Sequence, residues 1–164
     1  MGMRVFSRAL LVLLLVVASS GARADELAGE VVGVTDGDTL RVLVEHHEVV
    51  IRLDQIDAPE KRQPFGQRSR QSLAEMTFRK AARVITHGQD RYGRTVGTVL
   101  IAGLDVNAEQ VRRGMAWVYL RYARGQALTV LELEARQARR GLWVDPSPLP
   151  PWDRRKQQSP RRNG

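Results

Sequence analysis

One stretch governs what this chain can become: Asp36 to Glu60, DGDTLRVLVEHHEVVIRLDQIDAPE. Apolar residues alternate through Leu40, Val42 and Val44, and again through Val49, Ile51 and Leu53. That period predicts two strands folding back on each other at Glu45–Glu48. Such a hairpin brings Asp36 and Asp38, at the start of one strand, close to Asp54 and Asp57, at the end of the other. Asp-Gly alone is a common turn signal, so Asp36-Gly37 has a plain explanation. Asp38 has none, because Asp is disfavoured on entry to a strand. Pro59 simply ends the second strand, whereas Asp57 and Glu60 add charge where charge already gathers. Like charges so placed repel unless a cation sits among them, and Arg52 alone is too little. A hard cation with oxygen ligands fits the cluster.

The rest of the chain predicts one domain with a leader and a tail. Arg4 and Arg8, the apolar run Ala9–Ala18 and the small-residue site Ala22-Arg23-Ala24 make residues 1–24 a secretory signal, so the mature protein is expected to be periplasmic or secreted, free of any membrane. There is no cysteine, so export brings no disulfide. The formal charge of +8 suggests a polyanion partner, but most of it lies in the leader and in the arginines after Asp153, which leaves residues 25–152 at about +1. Residues 25–145 form the predicted domain. Residues 146–164, rich in Pro and Arg and without apolar period, are expected to be flexible.

Within the domain, the pattern predicts a strand over Leu27–Val34, the hairpin, and a helix over Gln67–Ala82 with Leu73, Met76, Thr77 and Ala81 on one face. A short strand Arg83–Thr86, a turn His87–Arg94 and a strand Thr95–Ile101 follow. Asn107 and Gln110 suggest a capping box that starts a short helix ending at Gly114. A longer helix is expected over Gln126–Arg140, with Leu142-Trp143 packing back as an anchor. Strands outnumber helices and no βαβ alternation appears, so a small, mainly antiparallel α+β barrel is expected. His46-His47 falls at the hairpin tip, with no third ligand nearby.

A third segment, Asp90-Arg91-Tyr92-Gly93-Arg94, is either a turn with solvated arginines or a source of a second guanidinium facing Arg52. Two arginines, a cation and a carboxylate are what phosphodiester hydrolysis requires: positive charge for the phosphoryl oxygens and a base for water. Arginine suits phosphate better than lysine because its fork binds two oxygens.

DGDT, RLDQIDAPE, DRYGR, and VNAEQVRRGMAWVY followed by a long helix and GLW occur in the order found in the staphylococcal-nuclease-like, or thermonuclease, domain. The resemblance runs from about Leu27 to Trp143. It implies a five-stranded OB-fold Greek-key barrel with about three helices. It also implies a calcium-dependent nuclease of DNA and RNA that leaves 3′-phosphate ends and favours single-stranded or locally open substrate. By motif match, Asp38 and Asp57 are the calcium carboxylates, the backbone carbonyl of Ala58 adds a ligand, and Asp36 stands just behind them. Glu60 is the general base, and Arg52 and Arg94 are the phosphate-binding pair. Tyr92, with Arg91 beside it, matches a nucleotide-phosphate contact. Tyr119 and Tyr122 fall a residue or more out of step with a second such tyrosine, and core packing accounts for them equally well. Ala58 replaces a Thr of the best-known member, and the Lys61–Phe65 loop is shorter than in that member. The alternatives are a non-catalytic nucleic-acid- or protein-binding module on the same fold, and a basic protein adhering to anionic surfaces through its tail. A monomer with no obligate protein partner is expected.

Overall fold

The computed structural model describes residues 25–158. The predicted leader, residues 1–24, lies outside them. Strand β1 (Glu26–Val34) pairs antiparallel with β2 (Thr39–Val44), and β2 with β3 (His47–Leu53). The predicted hairpin is present, turning at Glu45 and His46, both of which hold positive φ. A two-residue strand β4 (Ile56–Asp57) follows, then helix α1 (Gly66–Thr77). Strands β5 (Ala81–Gln89) and β6 (Thr95–Ile101) form the second hairpin. β5 lies against β1, and β6 runs parallel to β3 with Ile51 opposite Thr95 and Leu53 opposite Gly97. That last pairing closes five strands into a barrel, the expected OB-type architecture, and removes the open edges.

The inward face of each strand fills the barrel. Val31, Leu40, Val42, Ile51, Leu53, Val84 and Val99 are each almost wholly buried, as the alternation of the sequence requires. Strand β7 (Leu104–Asp105) extends β6 and leads into helix α2 (Val106–Arg112). Strand β8 (Trp117–Val118) pairs with β4. Helix α3 (Ala127–Gln137), a 3-10 turn at Gly141–Val144 and helix α4 (Pro151–Gln158) complete the described chain.

The structure differs from the sequence expectations in four elements. Helix α1 stops at Thr77 instead of Ala82, because Arg79 turns left-handed and its N–H bonds Val31 O while Lys80 O accepts from Val31 N. Pairing with β1 thus outcompetes the helical pattern, and β5 becomes longer than the predicted strand at both ends. Asn107 does not cap α2. Asp105 does, its side chain accepting from Ala108 N, while Asn107 is buried and braces Val99 N, Asp54 O and Gly97 O. Helix α3 is shorter than the predicted Gln126–Arg140 span. The region given no regular structure, 146–164, carries α4 over Pro151–Gln158, so the described residues hold four α-helices.

Candidate active site

Hairpin register assembles the acids. Thr39 faces Arg52 across β2 and β3, and Leu53 N–H donates to Asp38 O at 2.8 Å. The start of one strand is thereby tied to the end of the other. Strand β4 is pinned in turn by β8, with Asp57 opposite Trp117. Asp38 and Asp57 are consequently buried, at 6% and 2% exposure. Ala58 N–H donates to Asp38 Oδ2 at 2.6 Å and the Thr39 hydroxyl to Asp38 Oδ1 at 3.0 Å.

Gly37 explains how the DGDT turn fits. A Cβ there would lie 1.8 Å from Ser69 Oγ and 2.7 Å from the Ala58 methyl, so α1 presses directly on the turn backbone. Its carbonyl accepts from Gln110 Nε2 at 2.7 Å, and Gln110 also takes the Ser72 hydroxyl at 2.8 Å. The glycine therefore serves close packing, beyond the turn preference that its sequence context suggests.

Arg52 sits at the centre. Its Nη1 donates to the carbonyls of Leu53 and Ile56 at 2.7 and 2.9 Å. Its Nη2 lies 3.0 Å from Asp57 Oδ1 and 3.2 Å from Asp38 Oδ2. Asp36 stands behind, accepting from Asp38 N–H at 3.1 Å. Burial, followed by the negative charge of Asp38, pushes the Asp36 carboxyl up to about 7. Burial raises Asp57 as well, against the pull of Arg155 and Arg52.

Asp54 does not join this group. Its carboxylate turns to Arg124, and His87 lies 3.8 Å away. Glu60 does join it, through a residue that the sequence reading left in a passive tail. Arg155 of α4 places Nη2 at 2.6 Å from Asp57 Oδ2 and Nη1 at 2.7 Å from Glu60 Oε1. The signal for this was Trp152, an aromatic in an otherwise polar tail. It stacks on Tyr119 with centroids 5.4 Å apart and rings at 7°, and meets Trp117 edge-on at 6.4 Å.

Arg94 stands next to Thr95, whose partner across β3 and β6 is Ile51, beside Arg52. The Arg94 guanidinium binds Asp90 at 2.7 Å and lies 5.5 Å from the centre of the Tyr92 ring. Asp90 also accepts from the backbone N–H groups of Tyr92 and Arg94, which holds the turn. Desolvation opposes its charged form, but the Arg94 guanidinium first, and these N–H groups after it, keep the Asp90 carboxyl below its usual range. Tyr92 is 67% exposed, with Arg91 Nη2 at 2.5 Å from its hydroxyl. Tyr119 packs between Trp152 and Tyr122, and Tyr122 is largely exposed. The tip histidines 46 and 47 are exposed, as expected.

No three His, Asp or Glu side chains among the described residues form a ready metal cage, since guanidinium groups sit between the acids. The donor chemistry nevertheless fits a hard cation. All donors are oxygen, and burial first, with the neighbouring charge of Asp38, raises the Asp36 and Asp57 carboxyls, a cost to the charged forms that a bound cation would relieve.

Residues 50–145 match the family described as staphylococcal nuclease homologues. The chain is 46% identical to Protein ParB of Escherichia coli over 95% of its own length and 94% of that protein. It is 43% identical to a micrococcal nuclease of Shigella flexneri, covering 88% of this chain and 89% of that one. An uncharacterized endonuclease of Escherichia coli is 45% identical over 77% of this chain and 84% of its own. With a closed five-stranded barrel and these matches over most of its length, the chain belongs to the staphylococcal nuclease homologues, a family of endonuclease-type phosphodiesterases.

Proposed function

We propose that this protein is an exported, calcium-dependent nuclease that hydrolyses DNA and RNA with little sequence preference and leaves 3′-phosphate ends. One observation carries the reading: Asp38, Arg52, Asp57 and Glu60 share a single site, with Arg52 bridging two acids at 3.0 and 3.2 Å. Nucleases of this type are generally metal-dependent, and Asp38, Asp57 and the Ala58 carbonyl are the groups to hold the ion, with Asp36 behind them. When bound, calcium supplies positive charge for the phosphoryl oxygens.

The chain's own residues supply the remainder. Glu60 takes the proton of an attacking water, whose oxygen bonds to phosphorus as the bond to the 5′-oxygen breaks; that oxygen leaves with the electron pair and takes a proton from solvent to become the 5′-hydroxyl. Arg52, fixed by two backbone carbonyls and two carboxylates, provides charge that needs no reorganisation. Arg94 and Tyr92, on the β5–β6 turn, are assigned to the substrate backbone, a role for which Arg94 must leave Asp90.

Digestion of single-stranded DNA by the mature protein, in calcium and in chelator and beside Glu60→Gln, tests the reading. Cleavage that requires calcium and is lost in Glu60→Gln is expected. Binding without cleavage in any divalent ion would establish the non-catalytic module instead.

A further inference from the structure

Helix α4 lies outside the segment that matches the family, yet it reaches the centre of the site. Pro151 is buried, and Trp152 is held between Tyr119 and Trp117. Gln63 Nε2 donates to Leu149 O just before the helix, and Arg154 reaches Arg62 O at 3.5 Å. Trp152 and Arg155 are three residues apart, on one face of the helix, so anchoring the first aims the second. The result is a guanidinium at 2.6 Å from Asp57 Oδ2 and 2.7 Å from Glu60 Oε1. Among the described residues, Arg155 is the only side chain that binds the Glu60 carboxylate, and it engages Oε1 and leaves Oε2 without a protein partner.

We infer that Arg155 is a positioning residue of the active site, which holds the Glu60 carboxylate beside Asp57 so that its second oxygen faces the water. The assignment rests on the nuclease reading. Glu60 follows Pro59 in a loop, and its side chain is 43% exposed, so by itself it would sample many rotamers. A forked cation bonded at once to buried Asp57 and to Glu60 selects one of them. The two arginines of α4 thus divide by role. Arg155 works at the site, and its neighbour Arg154 secures the helix to the Lys61–Phe65 loop.

The test is a double-mutant cycle on the full chain: wild type, Arg155→Ala, Glu60→Gln and the pair, assayed on single-stranded DNA at saturating calcium, with melting curves for each. Arg155→Ala is expected to lower kcat roughly tenfold or more with KM little changed, as loss of orientation does. In the Glu60→Gln background the same change should cost almost nothing more, because the group that Arg155 orients no longer acts as a base. Arg155→Lys should restore part of kcat. An unchanged kcat, a raised kcat (a helix that blocks the site), or a loss that adds fully to that of Glu60→Gln would each overturn the assignment. Inert wild-type protein overturns the nuclease reading along with it, whereas active wild type with indifferent Arg155→Ala overturns the assignment alone.

Discussion

Arg52 and Asp57 meet with Nη2 and Oδ1 3.0 Å apart, and both side chains are largely withdrawn from water. Five residues of chain separate them, and the reversal between β3 and β4 makes the contact. Two carbonyls and a second carboxylate complete the hold on Arg52, so its fork is oriented before any substrate arrives.

Replacing that fork should therefore cost activity even when charge is kept. Arg52→Lys is expected to lower kcat/KM about 100-fold or more, since an ammonium cannot serve both acids and both carbonyls. Arg52→Ala should also destabilise the fold by about 3–5 kcal/mol, because it leaves buried carboxylates uncompensated. Steady-state kinetics and urea unfolding check the two effects, and a Lys variant with native kinetics would refute the first.

Gln110 joins α2 to both α1 and the DGDT turn through Ser72, Ser69 O and Gly37 O. Gln110→Ala strands these buried groups and should cost about 1–3 kcal/mol. The denaturant midpoint will show it, and a change within experimental error would mean that water replaces the amide.

Gly37→Ala forces a methyl to within 1.8 Å of Ser69 Oγ. Overpacking of this kind costs about 1–3 kcal/mol. Because the displaced turn carries Asp36 and Asp38, calcium affinity measured by calorimetry should fall as well. Ser69→Gly in the same chain, which removes the opposing hydroxymethyl, should recover much of both.

Asp36 supplies a pH signature. Its folded-state value of about 7 lies above the 3.8 of a free aspartate, so between the two the native state holds a proton that the unfolded chain has lost. In chelator, this group's contribution makes stability fall as pH rises from about 4 to about 7, with no further loss above that. Asp36→Asn should flatten that part of the curve. Calcium binding should strengthen with pH through neutrality in wild type, and more weakly in Asp36→Asn, because the charge of an ion held by Asp38 favours the ionised form of Asp36 behind it. Urea titrations across this range, with and without calcium, decide it; identical slopes in both proteins would reject the assignment.

The barrel was legible because alternation is local. Leu40, Val42, Ile51 and Val99 face inward for the reason the period of two predicts, and the hairpin turn fell where the apolar runs break. The acids were legible because Asp38 and Asp57 stand where strand residues seldom carry charge. Helix α1 was overextended because nothing local reveals that Arg79 and Lys80 pair with β1. Asn107 looked like a cap, and only packing against β6 shows that its amide is needed for buried backbone groups.

What the amino-acid order determined by itself was the β2–β3 hairpin, its inward face and the nearness of Asp38 to the end of β3, since these follow from short-range periodicity; closing the barrel and pinning Asp57 took the long-range pairings of β3 with β6 and β4 with β8. The tertiary structure decided which charges meet. Asp54 turned to Arg124, Arg94 stayed on Asp90, and Arg155 came from about 100 residues away to Glu60. An ion pair leaves no periodic trace in sequence, because its energy depends on distance and burial that only the assembled fold supplies.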